Sequence, residues 1–516
     1  MSRTPEQTPG PVAPVLDLGL YAEESDPARA RALVDGAFGH GYLVHGPGSV
    51  ELPGFLRRWS LHKVGPLELH TAPRTVVAVA EGATGAAVVT LGHPVDVDRG
   101  VTDPHLIAEH LLRRMVLGGE GAAVLEAAYL GGRWTILLVH PGRPGSVTVV
   151  PDTMGTQPIF WASNGASVTV ASSSALVALA RGLAPDERAP QLHADARKVR
   201  PTGVFFLPGT VTQFEGVRQV SPNCLLRADL SAPGQESHDR FWPIGPRVES
   251  PDVEEVAAEF RDRMREHIRL ISRFGPVAWS LTGGLDSRVT LATAADSLRP
   301  GTVAFTYFNP RDGVRSPEAA QDVFDANQIA YQMGVPHRVL RWRQAPRDHV
   351  FARIHSATHP VSYSSHGAGF AMWADLPHDI VEMQSIGGEI GTVFGRRRSP
   401  TPLTPEKMSA LWMGDGFEGR EPYTALFATY LEHAQLTDER LRGYDHHDVV
   451  YWELRLGKWG FTKYLLGDYS HRTMLPFNDR RLIETMHRLP EKHRLSKALY
   501  QSILAAEPRV RLPAPR

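Results

Sequence analysis

The stretch Ser280-Leu-Thr-Gly-Gly-Leu-Asp-Ser-Arg288 decides the fold. It follows the apolar run Pro276-Val-Ala-Trp279 and precedes Val289-Thr-Leu-Ala-Thr293, which reads as the opening of a helix. A strand, a tight Gly-Gly turn and a helix N-terminus together make a receptor for anionic oxygens. Glycines let the backbone approach a phosphate, while the first helical N–H groups and the helix dipole point at it. Ser280, Thr282, Gly283, Gly284, Leu285, Asp286 and Ser287 are therefore the candidate nucleotide-binding residues. Thr282 and Ser287 add hydroxyl donors, and Asp286 adds a carboxylate suited to Mg²⁺ among phosphates. No Gly-Lys-Ser/Thr ending follows, so this is not a Walker A loop.

Outward from the loop the rhythm is strand, then helix. Asp252 to Phe274 carries Val256, Phe260, Met264, Ile268 and Ile271 near a period of 3.6, the stripe of a helix packed on a core. Beyond the loop come a strand, Val303-Ala-Phe-Thr-Tyr-Phe308, a helix around Pro317 to Met333, and a strand, His337-Arg-Val-Leu-Arg341. Such alternation predicts a doubly wound parallel sheet with helices on both faces. After about residue 400 the chain reads as mostly helical.

Upstream the pattern changes. Thr75-Val-Val-Ala-Val-Ala80, Gly85-Ala-Ala-Val-Val-Thr-Leu91, Trp134-Thr-Ile-Leu-Leu-Val139 and Gly145-Ser-Val-Thr-Val-Val150 are short β runs, the last two forming a hairpin. Pro158-Ile-Phe-Trp161 and Ser167-Val-Thr-Val-Ala171 follow, and His105 to Val116 is the clearest helix. Many strands and few helices predict an α+β unit built on two packed antiparallel sheets. The segment Ala232 to Ser250, rich in Pro, Gly and charge, reads as the linker between the two units.

The whole chain bounds the possibilities. At 516 residues it predicts two or three domains. A formal net charge of -1 provides no overall basic field for nucleic acid or an anionic membrane. A single cysteine, Cys224, excludes an intrachain disulfide and a multi-cysteine metal site. The N-terminus, Met1 to Pro11, lacks the apolar core of a signal peptide, and no run approaches the roughly 18 to 20 apolar residues of a membrane span. The expected compartment is the cytoplasm, with residues 1–14 a disordered tail.

Taken together, these pieces resemble the asparagine synthetase B family, including its β-lactam synthetase and lasso-peptide cyclase relatives. The resemblance spans roughly residues 110 to 505 and is most specific at the loop, which is similar to the S/T-G-G-x-D-S pyrophosphate loop of enzymes that split ATP into AMP and pyrophosphate. Val150-Pro-Asp-Thr-Met-Gly-Thr-Gln-Pro-Ile-Phe160 resembles the family's D-x-x-G-x-x-P-L-Y hairpin, and Ala171-Ser-Ser-Ser-Ala-Leu176 its A-S-x-x-K-A-L segment. Leu207-Pro-Gly-Thr-Val-Thr-Gln-Phe214 and Arg240-Phe-Trp242 resemble its closing strands. Leu475-Pro-Phe-Asn-Asp-Arg-Arg-Leu482 is like V-P-F-x-D-x-R-L, and Arg494-Leu-Ser-Lys-Ala-Leu-Tyr500 is like the K-Y/W-L-L segment.

The resemblance implies a fold: an N-terminal Ntn-hydrolase-like sandwich (residues 15–240, a class II glutamine amidotransferase-like domain) followed by an ATP-pyrophosphatase domain (251–510). It also implies a reaction, in which ATP and Mg²⁺ convert a carboxylate into an acyl-adenylate that an amine attacks. On the matching positions, Asp286 and Glu389 become metal ligands, and Gly387 and Gly388 of Ser385-Ile-Gly-Gly-Glu389 become nucleotide-binding. Lys497 becomes the catalytic cation on pyrophosphate, and Phe305 part of the strand whose backbone holds adenine. Against these stand plainer readings, a solvated loop charge for Glu389 and a helix-surface lysine for Lys497, while a core strand around Phe305 is compatible with the adenine reading.

This chain departs from the family at three places. Position 2 is Ser, and the only cysteine lies deep in the sequence, so the exposed N-terminal thiol of class II amidotransferases is missing and no glutaminase activity is expected. Ile386 stands where relatives often carry Glu or Tyr beside the reacting amine. Glu453 is the candidate replacement base, with a salt bridge to Arg455 or Lys458 as the alternative, and Tyr451 a weaker candidate beside it. Gly395-Arg-Arg-Arg-Ser399 is a candidate clamp for an anionic substrate or simply a solvated basic run. His355 and His359 are spaced i,i+4 without the H-E-x-x-H pattern, and His446-His447 between Asp445 and Asp448 reads as a capping turn.

The expectation is an ATP- and Mg²⁺-dependent, AMP-forming amide ligase of specialised-metabolite or peptide biosynthesis. Its partners would be a small-molecule or peptide carboxylate and an amine, with a carrier or leader-binding protein or a homodimer as further options, and neither nucleic acid nor membrane. A lasso-type macrolactam cyclase is the runner-up. A tRNA-modifying phosphate-loop enzyme and a non-catalytic scaffold of the same fold are the readings from other classes.

Overall fold

Central strands buried on both faces make the first half of the chain a layered sandwich. The computed structural model describes residues 32–33, 35–47, 50, 52, 54–143, 145–163, 167–199, 206–232, 234–310, 317–359, 366–393 and 403–512. The expected tail and the triplet Arg396 to Arg398 lie outside the described residues. Among those described, β1 (Tyr42–His45), β2 (Ser60–Val64), β3 (Leu67–Thr71), β4 (Val77–Glu81), β5 (Ala87–Val95) and β6 (Gly131–Val139) are followed by β7 (Ser146–Pro151), β8 (Phe160–Ser163), β9 (Val168–Ala171), β10 (Arg218–Gln219), β11 (Cys224–Asp229) and β12 (Ser237–Arg240). They form two antiparallel sheets of six strands each, ordered β10-β8-β9-β1-β3-β2 and β12-β11-β7-β6-β5-β4.

Alternation along β5 shows how the layers stack. Ala87, Val89 and Leu91 join Val44, Leu69 and Val170 of the other sheet in the core between the two. Val88 points the other way, against Ile107 and Leu111 of the helix α1 (Pro104–Ala128). That helix is longer than the expected His105 to Val116 and breaks at Gly119, whose φ of 76° no L-residue adopts easily.

The expected linker is partly a strand. Within Ala232 to Ser250, β12 pairs with β11 from Cys224↔Arg240 to Arg227↔Ser237. The polar string Ser-His-Asp-Arg hides this because the strand is an edge, held by backbone pairing and by the ion pair of Arg227 with Asp239 at 2.6 Å.

The second unit is the expected parallel sheet. β13 (Val277–Ser280), β14 (Val303–Phe308), β15 (His337–Arg341), β16 (Val381–Gln384) and β17 (Arg472–Met474) pair in parallel in the order β15-β14-β13-β16-β17. Along β13, Val277 and Trp279 enter one core cluster and Ala278 another, so both faces are covered. The helices used below are α2 (Val253–Ile271), capped by Asp252, α3 (Leu285–Ala294), α4 (Pro317–Gln332) and α5 (Ala498–Ala506). A π-helical segment, Tyr451–Gly460, precedes β17. None of the described helices is long and apolar enough to cross a membrane.

The two units share buried polar contacts. Arg133 meets Asp468 through two 2.6 Å bonds. Asn478 Nδ2 donates to Gly132 O at 2.5 Å, while Met154 N donates to Asn478 Oδ1 at 2.9 Å.

Candidate nucleotide site at the strand switch

Strand order reverses between β13 and β16, and a doubly wound sheet opens its ligand crevice at the carboxyl ends of such a pair. The Gly-Gly loop leaves β13 at that end, and Ser385-Ile-Gly-Gly-Glu389 leaves β16 beside it. The two are tied together by Thr290 Oγ1 of α3 and Ser385 Oγ, 2.5 Å apart.

The loop itself is set by short polar bonds. Thr282 Oγ1 lies 3.0 Å from Ser287 Oγ and accepts from Gly284 N at 3.2 Å. Gly283 N donates to Asp322 Oδ1 of α4 at 2.6 Å, so this amide is committed to the protein. A Cβ on Gly283 would stand 2.7 Å from that of Asp325, which explains glycine there. Helix α3 starts at Leu285 with Gly284 as its cap and no side-chain capping bond. Its first-turn N–H groups, from Leu285 to Ser287, thus face the crevice as donors for an anion. Ser280, which ends β13, is half-buried in register with Phe305 and Gln384.

Two carboxylates converge at this helix start. Burial and the neighbouring Glu389 push the Asp286 carboxyl up to about 8, against the opposing pull of Tyr500 and of the Lys497 charge. Tyr500 of α5 donates its hydroxyl to Gly388 O at 2.9 Å and lies against the Asp286 carboxylate. Glu389 accepts from Gly387 N at 3.2 Å and is half-buried. Asp286 and Glu389 form an oxygen-only donor pair, which fits a hard divalent cation such as Mg²⁺.

Gly388 is required by contact rather than by φ. A Cβ there would meet Asp286 Oδ1 at 2.1 Å and the Tyr500 hydroxyl at 2.3 Å. Gly387 has a φ of 117°, and a Cβ on it would meet Met154 Cε at 2.2 Å, so the first unit packs directly on this turn. Lys497 caps α5 in the left-handed region, with φ 57°, a conformation unusual for a residue with a side chain.

The structure thus groups Ser280, Thr282, Gly283, Gly284, Leu285, Asp286, Ser287, Gly387, Gly388, Glu389 and Lys497. Two candidates fall outside the group. Phe305 is fully buried in an apolar cluster with Ala278, Leu340 and Phe351, and its carbonyl accepts from Leu281 N at 2.9 Å. It is a core residue.

Glu453 is the other correction. It is 1 % exposed, and Arg240 occupies both of its oxygens at 2.7 and 2.6 Å, with Asn223 Nδ2 on the first at 2.9 Å. Three of its about four acceptor sites are thus taken up within the core, which makes it the buried counter-charge of Arg240. Neither expected partner is used: Arg455 stacks over Tyr451 and Trp459, and Lys458 donates to Gly209 O and Val211 O at 2.7 and 2.9 Å.

Tyr451 proves nearer the crevice than Glu453. Its hydroxyl is held above its ordinary pKa by burial first and then by Glu389, with Asp286 adding to it and Arg455 opposing. Tyr500 and Asp322 are the site residues that sequence reasoning missed. Tyr500 stands one helical turn after Lys497, the one local hint available. Ile386 is half-buried on the main core.

The histidine readings are simpler. Asp445 caps the turn at His446-His447, accepting from His447 N and Asp448 N at 3.0 and 3.3 Å. The His355 and His359 rings stack at 4.5 Å, and His359 Nε2 lies 3.0 Å from Thr462 O.

No family model matches the chain, and no curated protein matches it. Among solved structures it is similar to the glutamine phosphoribosylpyrophosphate amidotransferase of B. subtilis complexed with ADP and GMP. That likeness has 11% identity over 72% of this chain and 73% of the other, with a TM-score of 0.26. It is also similar to the NH3-dependent NAD synthetase of Campylobacter jejuni, at 14% identity over 41% and 96% of the two chains and a TM-score of 0.22. The glutamine-dependent NAD+ synthetase of Acinetobacter baumannii in complex with ADP gives 15% identity over 52% and 54%, with a TM-score of 0.19. Likenesses this distant carry no weight for the chemistry, which rests on the residues themselves.

Proposed function

We propose that the chain is an ATP-dependent, AMP- and pyrophosphate-forming amide synthetase, which activates a carboxylate as its adenylate and passes it to an amine. The observation that carries this reading is the meeting of Asp286, Glu389, Lys497 and Tyr500 at an uncapped helix start on the strand switch. The first-turn amides of α3, with Thr282 and Ser287, bind the leaving phosphates. Lys497 stabilises the charge that gathers on pyrophosphate as the α-phosphorus is attacked. Mg²⁺, held by Asp286 and Glu389, would neutralise the triphosphate. Tyr500 holds the Gly388 turn and the Asp286 carboxylate in register.

The first unit contributes no glutaminase in this reading. Cys224 is fully buried, and burial pushes its thiol up to about 12, far from a usable thiolate at neutral pH. The amine is then ammonia, a second substrate, or a group on the carboxylate's own molecule. The reaction suits specialised-metabolite or peptide biosynthesis in the cytoplasm.

Carboxylate-dependent exchange of labelled pyrophosphate into ATP tests the proposal, with pooled amino acids, β-amino acids and short peptides. Exchange that disappears in Asp286→Ala and Lys497→Ala is the expected result. Exchange unchanged in both variants, or glutamate released from added glutamine, would overturn it.

A further inference from the structure

Far along the chain from the nucleotide loop, the outer face of the first sheet gathers three ligating side chains. β1 ends on His45, which stands directly opposite Glu68 of β3 in antiparallel register. Residues two apart on a strand share a face, so Glu68 and His70 point the same way, beside His45. His45 Nε2 lies 3.4 Å from His70 Nε2 and 3.9 Å from Glu68 Oε2, and the three ligand atoms lie within 4.8 Å of one another. Among the described residues this is the one place where three such His, Cys, Asp or Glu atoms converge.

The hydrogen-bond pattern leaves a lone pair inside the cluster. His45 Nδ1 is 2.6 Å from Gly46 O, which can only accept, so Nδ1 carries the proton and Nε2 presents a lone pair. This is the backing a metal-bound imidazole receives from a carbonyl behind it. The two ring centroids are 5.5 Å apart with planes 12° from parallel. With the nitrogens only 3.4 Å apart, the rings therefore meet nitrogen to nitrogen rather than face to face. Two zinc–nitrogen bonds of about 2.0–2.1 Å at a tetrahedral angle span about 3.4 Å.

Burial completes the case. His45 and His70 are 2 % and 5 % exposed, whereas the Glu68 side chain is 30 % exposed and opens a path to solvent. Two imidazoles and one carboxylate suit zinc better than magnesium or calcium. We propose that His45, Glu68 and His70 form a Zn²⁺ site that joins β1 to β3 and leaves a fourth position open to water or an exogenous ligand. This site is separate from the all-oxygen pair Asp286 and Glu389 and stands whether or not the chain is an amide synthetase.

The test uses the full chain, stripped with a chelator and titrated with Zn²⁺ against a chromophoric competitor. Excess Mg²⁺ keeps the carboxylate pair occupied. The expected result is one tight equivalent, weakened by about 100-fold or more in His45→Gln and His70→Gln, since even loss of a backing partner costs up to that much. Glu68→Gln weakens it by about tenfold or more. His62→Gln leaves it intact, because the His62 ring turns to Thr71 Oγ1 at 3.1 Å. Co²⁺ in place of Zn²⁺ gives the intense visible absorption of four-coordinate geometry in the wild type only. No tight equivalent in the wild type, or binding that persists in both His70→Gln and Glu68→Gln, overturns the proposal. Glu68, being partly exposed, keeps the test decisive if a histidine variant fails to fold.

Discussion

Arg240 and Glu453 meet as a two-pronged ion pair, with oxygens at 2.7 and 2.6 Å and side chains 1 % and 0 % exposed. One comes from the edge strand β12 and the other from the π-helical segment, so the pair joins the two units. Removing one partner leaves a buried guanidinium without its counter-charge. Glu453→Gln should lower stability to denaturant by about 3–5 kcal/mol. The pH profile of pyrophosphate exchange should keep its wild-type shape, whereas a catalytic base would leave stability alone and change that profile.

Asp286 should trade stability for activity. Its carboxyl is raised by burial and by Glu389, so the folded state bears a cost there that the unfolded chain does not, whether the group is charged beside Glu389 or takes up a proton. Asp286→Asn is expected to raise the melting temperature without ligand while cutting exchange by about 100-fold or more. A variant that is less stable, or that still exchanges, would contradict the assignment.

Gly388 offers a purely steric test. Its backbone is compatible with alanine, yet a Cβ would lie 2.1 Å from Asp286 Oδ1. Gly388→Ala should therefore lose exchange by about tenfold or more while circular dichroism stays native, because a misplacement of about 1 Å is that costly in a reacting centre. Tyr500→Phe, which removes the hydroxyl bonded to Gly388 O, should fall between this variant and the wild type.

Lys458 provides a pH signature. Burial lowers its ammonium to about 7, and its two acceptors, Gly209 O and Val211 O, can be served by a neutral amine. Between about pH 7 and 10 the unfolded chain binds a proton there that the folded chain does not, so stability should rise with pH. Below about 7 both states are protonated and the contribution levels off. Lys458→Met should flatten the rise, as read from denaturation midpoints across that range.

What the sequence reveals depends on how local the cause is. Asp286 and Glu389 were legible because each sits in a glycine-rich turn whose chemistry is complete within a few residues. The parallel sheet was legible from the β-then-α rhythm around Val303 and Pro317. Glu453 was misjudged because its partner, Arg240, is far away in sequence and lay in a stretch whose polar residues disguised β12 as linker. Phe305 was legible as part of a core strand, but strand membership does not say which of its backbone groups are already paired. Asp322 and the meeting of His45 with His70 arise from helix placement and strand register, which no spacing rule reaches.

Met154 against Gly387 sets how this protein can change over time. The turn that follows β16 is moulded on a side chain from the other half of the chain, and Asn478 binds the backbone of the same Met154. The front half is therefore not free to drift: each substitution at its inner wall is judged by the shape it leaves around the Gly387 turn. Exchanging the front half with that of a distant relative should fail unless the Met154 turn travels with it. The two halves are inherited as one mould and its casting.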